Sequence, residues 1–376
     1  MRPFATRMMC PMTTTGHPST EPHEDAHGLG PRLSAIAGDR ASSAARLVLE
    51  TAGIVRRWVH EHADGPPLTG SMIEAGLGTW AEEQAWRGPC ALLLDTLRRT
   101  WHVGSVRGPR AAAEALAEEL SGWLDEDERD GRGELRERPN RRSGSPARGP
   151  WNGEPLAPGR RLQSRLQLAE KAATEIAPGD RVLVTSYSET VVAALEAAWR
   201  AGQRPEVLLG EGAPDLDGRR VAQRLSRSGI RVTLAYDSAV LGLVPRADRV
   251  WLASEAIGAG LFLARSGTRT LLEECARRDV PVRVLATSDK LVPGGALRLP
   301  AWCERESWLL WDDAPEGVRL ESQMFEFVPL DLLELVGGLF TERGPEAVAP
   351  LHLRALRVEA APPCDTVSNR VRALTT

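Results

Sequence analysis

The stretch GDRVLVTSYSETVVAALEAA, residues 179–198, decides the fold. It opens on a turn pair, Gly179-Asp180, and runs into Val182, Leu183 and Val184. A short, wholly apolar run bounded by turn formers predicts a strand buried on both faces. A polar turn follows, Thr185-Ser186-Tyr187-Ser188-Glu189-Thr190, and then Val191–Trp199 with helical spacing. Strand, hydroxyl-rich turn and helix make one unit of an alternating α/β chain.

Similar units follow. Apolar runs at Val207–Leu209, Val232–Ala235, Val250–Ala253 and Val282–Ala286 alternate with helical stretches such as Val221–Arg227 and Leu271–Arg277. Apolar strands alternating with helices predict a mostly parallel sheet covered on both faces. Right-handed crossovers then give a doubly wound, Rossmann-like domain over 161–350.

Upstream the pattern is helical. Val48, Ala52, Val55 and Val59 form one stripe; Cys90, Leu93, Leu94 and Leu97 a second; Ala113, Leu116, Leu120 and Leu124 a third. Each recurs at three- and four-residue spacing, which predicts a small helical domain over 31–125. The fold class is therefore α/β, a small N-terminal helical domain followed by the doubly wound one. Residues 1–30 and 126–160 are rich in Pro, Gly, Ser or mixed charge without periodicity, and read as a disordered tail and a disordered linker or insertion. Residues 351–376 read as a C-terminal tail.

Composition excludes several classes. The net charge of -4 argues against direct nucleic-acid binding. Of 47 basic residues only Lys171 and Lys290 are lysine, so arginine is a compositional habit of this chain and no single Arg marks a phosphate fork by its type alone. The five cysteines lack CxxC spacing, which points to a reducing, cytoplasmic setting without a disulfide framework. No run is long and apolar enough for a membrane span, and the start carries no apolar signal segment. His17, His23 and His27 lie near Glu21, Glu24 and Asp25 in a segment with nothing to hold them as ligands. No metal and no cofactor are expected.

In open α/β sheets, ligands bind beyond the carboxyl ends of the strands, near the point where strand order reverses. The loops there carry the candidates. Thr185, Ser186 and Ser188 follow the first strand at a helix start, where hydroxyls and free backbone N–H groups suit a phosphate. Arg219 follows the second strand, Asp237 the third, and Ser254 with Glu255 the fourth. Arg265, Gly267 and Thr268 open a further helix, and Lys290 follows the fifth strand. Each also has a structural reading as a cap, a turn or a surface charge. Their joint placement at one sheet edge points to a phosphorylated small-molecule site.

Six collinear segments carry a resemblance. GDRVLVTSYSETVVAALEAA (179–198), EGAPDLDGRRVAQRL (211–225), GIRVTLAYDSAV (229–240), ADRVWLASEAI (247–257), SGTRTLLEECARRDVPVRVLA (266–286) and MFEFVPLDLLELVGGLFTERG (324–344) resemble the family of the alpha, beta and delta regulatory subunits of eukaryotic translation initiation factor 2B. That family also holds methylthioribose-1-phosphate isomerase and ribose-1,5-bisphosphate isomerase. The resemblance implies a helical N-terminal domain, pairing into a homodimer through the C-terminal domain, and a sugar-phosphate site. Leu330–Phe340 is either a contact of that dimer or a core helix.

Departures from the family pattern bear on catalysis. Where the isomerases carry a catalytic Cys, this chain has Tyr187; where they carry a catalytic Asp, it has Glu255. Ala213 replaces an Arg before Pro214, and Ala264-Arg265 replaces an Asn-Lys pair. Aldose–ketose isomerisation needs an acid and a base of matched pKa held in close register. A tyrosine, with a pKa of about 10, exchanges protons poorly at neutral pH. The implied function is a non-catalytic regulatory or sensor subunit that binds a phosphorylated sugar or nucleotide. The alternatives are a pentose 1-phosphate isomerase, with Glu255 acting against Tyr187 or Asp237, and an interaction protein with a vestigial pocket.

Overall fold

The computed structural model describes residues 28–39, 44–130, 161–292, 295, 297–300, 310–311, 313–348 and 360–365. The expected disordered stretches fall largely outside them, as do His17, His23 and His27.

The N-terminal half is helical: α1 Leu29–Ala37, α2 Ala44–Glu61, α3 Gly70–Gln84, α4 Gly88–Ser105 and α5 Pro109–Asp130. Thr69 caps α3 by accepting from the Met72 N–H at 3.2 Å, and Pro89 opens α4 where no intrahelical donor is needed. The amphipathic stripes meet in one core around Trp58, Ile73, Leu77, Trp80, Leu93, Leu97, Leu116 and Leu120. Helix α5 runs to Asp130, past the expected boundary at 125. Its final residues, DEDERD, contain no Gly or Pro to stop a helix already propagated by the buried Leu116, Leu120 and Trp123.

The expected C-terminal tail needs correction as well. Residues 360–365 dock on the helical half. Asp95 accepts from the Ala361 N–H at 2.6 Å, Glu74 accepts from the Cys364 N–H at 2.8 Å, and His102 Nε2 lies 3.1 Å from the carbonyls of Pro362 and Pro363. Cys364 belongs to the helical core. Only Ala361, the two prolines and Cys364 offer this segment apolar surface, which is too little to register as a periodic pattern.

The C-terminal half begins with α6, Arg161–Ala173. Strands β1 Arg181–Val184, β2 Glu206–Gly210, β3 Arg231–Ala235, β4 Arg249–Ala253 and β7 Val282–Leu285 follow the predicted runs within a residue or two. Between them lie α7 Glu189–Arg200, α8 Asp217–Arg227, the short α9 Val240–Leu243, and α10 Thr268–Arg277. With β9 Leu339–Thr341 and β10 Gly344–Glu346 they give a seven-stranded sheet in the order β10-β9-β7-β4-β1-β2-β3. It is parallel except for the β9–β10 pair. Helices α6, α7 and α8 pack on one face and α10 with Asp331–Val336 on the other, each over its own apolar cluster. The third strand is not apolar on both faces as predicted. It is the sheet edge, and Arg231 and Leu234 are exposed.

A second sheet was not legible. β5 Ala256–Ile257, β6 Leu261–Arg265 and β8 Phe325–Pro329 form an antiparallel three-stranded sheet, so residues read as a loop before Gly267 are strand. The segment 330–340 is core: Leu330, Leu333, Val336, Leu339 and Phe340 are buried, while Leu335 stands 70% exposed. Among the described residues, no helix is long and apolar enough to cross a membrane, and no cluster of His, Cys, Asp and Glu could hold a metal ion.

Candidate functional site

Strand order reverses at β1 and β4: the chain leaves β1 toward β2 and β3, and later returns to β4, β7 and β9 on the other side. A crevice opens beyond the carboxyl ends of these two strands. The helical half closes it. The Gly88 N–H at the start of α4 donates to the Glu255 carbonyl at 2.8 Å, and a side chain at Gly88 would meet the Lys290 backbone at 2.5–2.7 Å. Glycine at 88 is therefore what lets α4 lie against the sheet edge. Trp86, Leu263, Met324 and Phe325 form a small apolar seam between the halves, with the Trp86 and Phe325 ring centroids 4.9 Å apart.

The cavity beneath this seam has a volume of about 130 Å³. Ser186, Tyr187, Ser188, Ser254, Glu255, Arg265 and Lys290 of the sequence candidates all line it. Ser188 also caps α7, its hydroxyl accepting from the Val191 N–H at 3.4 Å. The Ser254 hydroxyl turns inward and donates to the Ala256 and Leu263 carbonyls, at 2.8 and 3.2 Å. Lys290 Nζ lies 3.9 Å from the Glu255 carboxylate.

Tyr187 donates its hydroxyl proton to Glu189 Oε1 at 2.5 Å. Burial, then this carboxylate, pushes the phenol above its ordinary pKa. Arg220 stacks its guanidinium 5.5 Å from the Tyr187 ring centroid. Arg265 is clamped by Asp217 at 2.7 Å and Asp215 at 3.3 Å, and lies 5.2 Å from the Phe325 ring centroid. Burial works against its charge, but Asp217, Asp215 and Glu255 outweigh that and raise its pKa.

The remaining candidates lie elsewhere. Thr185, Asp237, Gly267 and Thr268 line a neighbouring groove that also contacts Arg265 but not the other cavity residues above. Asp237 is committed to backbone, accepting from the Gly212 and Ala213 N–H groups at 2.9 and 2.7 Å. Its position after a strand suggested chemistry; its geometry is that of a loop brace. Thr268 donates to the Arg265 carbonyl at 2.6 Å. Arg219 pairs with Glu211 at 2.6 Å, is half-exposed and lines neither cavity.

Sequence reading missed Arg87, Arg165, Asp217, Thr287 and Asp289, all lining the cavity. Arg87 had a usable signal, since it precedes the Gly88-Pro89 helix start. Asp217 was hidden inside a turn-former run; Gly218, whose added side chain would lie 2.0 Å from the Gly210 carbonyl, marked the tight approach of that loop. Arg165 sits on a helix face and carried no signal.

A doubly wound sheet with a helical domain over its switch point, and a polar crevice between the two, defines a Rossmann-like protein with a two-part cleft. Residues 159–345 match the Initiation factor 2 subunit family, and this part of the chain is a domain of that family. Curated relatives include ribose 1,5-bisphosphate isomerase of Haloferax volcanii, 30% identical over 35% of this chain and 41% of that protein. Translation initiation factor eIF2B subunit beta of Dictyostelium discoideum is 31% identical over 46% of each chain. The matched stretch thus spans less than half the length of these two relatives. The solved structure of translation initiation factor eIF-2B from Pyrococcus horikoshii OT3 shares the fold, with a TM-score of 0.58 at 19% identity, over 84% of this chain and 96% of that one.

Proposed function

We propose that the cleft binds a phosphorylated sugar or nucleotide and that the protein is a non-catalytic regulatory or sensor subunit, paired with a second copy of itself. The Tyr187–Glu189 hydrogen bond carries this reading. The hydroxyl at the position of the isomerases' cysteine is tied to a carboxylate, and its pKa is raised rather than lowered. A phenol so held neither gives nor takes a proton readily near pH 7. Binding needs less: hydroxyls at Ser186 and Ser188, cations at Arg87, Arg165 and Lys290, and carboxylates able to accept from sugar hydroxyls all face one cavity.

A second reading is a pentose 1-phosphate isomerase. It is favoured by Glu255 and Lys290 standing 3.9 Å apart in that same cavity. Proton NMR of the protein with ribose 1,5-bisphosphate or methylthioribose 1-phosphate in D2O separates the two. Line broadening without conversion is expected. Ketose signals that grow with time, and vanish in Glu255→Gln, would establish the isomerase instead. Neither broadening nor conversion would refute the isomerase and remove these two sugars as ligands.

A further inference from the structure

The charges that line the cleft are mostly answered from within. Arg265 is held by Asp215 and Asp217, and Lys290 faces Glu255. Asp289 accepts from the Thr287 hydroxyl at 2.5 Å. Glu189 accepts the Tyr187 hydrogen bond and also pairs with Arg224 at 3.2 Å. Arg220 and Arg87 rest on the rings of Tyr187 and Trp86.

Arg165 of α6 differs. It lines the cavity, its Nε is buried without a hydrogen-bond partner, as is that of Arg87, but unlike Arg87 it rests on no ring, and its guanidinium makes no ion pair among the described residues. A partly buried, unanswered guanidinium is costly to keep unless something outside the chain completes it. Its planar fork of donors matches a phosphate better than a lysine would.

We infer that Arg165 is the phosphate anchor of the cleft: the phosphoryl group of the ligand docks on its guanidinium and supplies the missing partner. The inference rests on the proposed function and names the group that reads the ligand's phosphate. It also divides the labour. Arg265, already neutralised by two aspartates, organises the loops, while Arg165 meets the incoming anion. Because α6 packs on α7 and lies against β9 and β10, the anchor stands on a rigid element rather than on a loop.

The test compares wild type with Arg165→Gln and Arg165→Lys, using inorganic phosphate against chloride at equal ionic strength and, separately, ribose 1,5-bisphosphate against ribose. Phosphate is expected to raise the melting temperature of wild type and not of Arg165→Gln. Affinity for the bisphosphate is expected to fall on the order of tenfold in Arg165→Gln, with partial recovery in Arg165→Lys. Without ligand, Arg165→Gln is expected to melt at or above the wild-type temperature, because it removes an unpaired charge. A purely structural arginine would lower it. Equal phosphate protection in wild type and Arg165→Gln would overturn the inference even if the bisphosphate binds. Phosphate protection that depends on Arg165, with no response to the bisphosphate, would sustain the anchor while refuting that sugar as ligand. No phosphate protection of wild type would overturn the anchor.

Discussion

Glu342 shows how burial tunes a side chain at the rim of the sheet. It accepts from the Ser288 N–H at 3.1 Å, and burial, with a smaller push from Asp289, raises its carboxyl pKa. The unfolded chain therefore gives up this proton at lower pH than the folded one does. Stability falls as pH rises from the ordinary value of 4.5 through the folded value, and the cost is complete above it. Glu342→Gln keeps an acceptor for Ser288 and removes the charge. It is expected to melt higher than wild type at pH 7.5, with the gap closing toward pH 4. A gap independent of pH would reject this account. At this scale the sequence was least readable. Ser254 and Glu255 are adjacent in a loop, yet one hydroxyl is spent on backbone and the other residue's carboxylate faces the cleft. Chain order does not encode which way a side chain turns. Asp237 after β3 and Glu255 after β4 looked equivalent for the same reason.

At the scale of elements, the alternating strands and helices were legible because each central strand of the large sheet buries both faces and each helix one. β1, β2, β4 and β7 are nearly continuous apolar runs. The small sheet of β5, β6 and β8 escaped because β5 is only two residues long and β8 pairs with β6 antiparallel across 60 residues or more of chain. The docked segment 360–365 escaped because its partners are side chains on other elements. Its contribution is measurable. Asp95 is buried, also pairs with Arg99 at 3.2 Å, and takes the Ala361 N–H. Asp95→Ala leaves the Ala361 N–H without its acceptor and is expected to cost about 1–3 kcal/mol in urea unfolding. Asp95→Asn, which keeps an acceptor for the N–H, should lose less. An unchanged midpoint for Asp95→Ala would mean the docked segment adds nothing.

At the scale of the molecule, the helical core and the sheet's core, itself divided over the two faces of the sheet, are separate and meet at the seam of Trp86, Leu263, Met324 and Phe325. The cleft exists only while the halves stay joined there. Trp86 is almost fully buried, and removing so large a side chain costs about 3–5 kcal/mol where the site does not collapse. Because Trp86 belongs to the seam and not to either main core, Trp86→Ala is expected to split one calorimetric transition into two, with far-UV helicity retained below the first. A single transition, merely shifted downward, would show that the two cores do not unfold independently.

The docking of residues 360–365 also bears on the order of events on the ribosome. The helical half is first to leave the exit tunnel, and domains generally fold in that order. Yet Cys364 is one of its core residues, and Glu74, Asp95 and His102 each complete their contacts with residues 361–364. The half made first is thus completed last, after the whole sheet has been synthesised. A nascent chain stalled at residue 348 would hold every strand of the cleft while the helical wall above it still lacked its final piece.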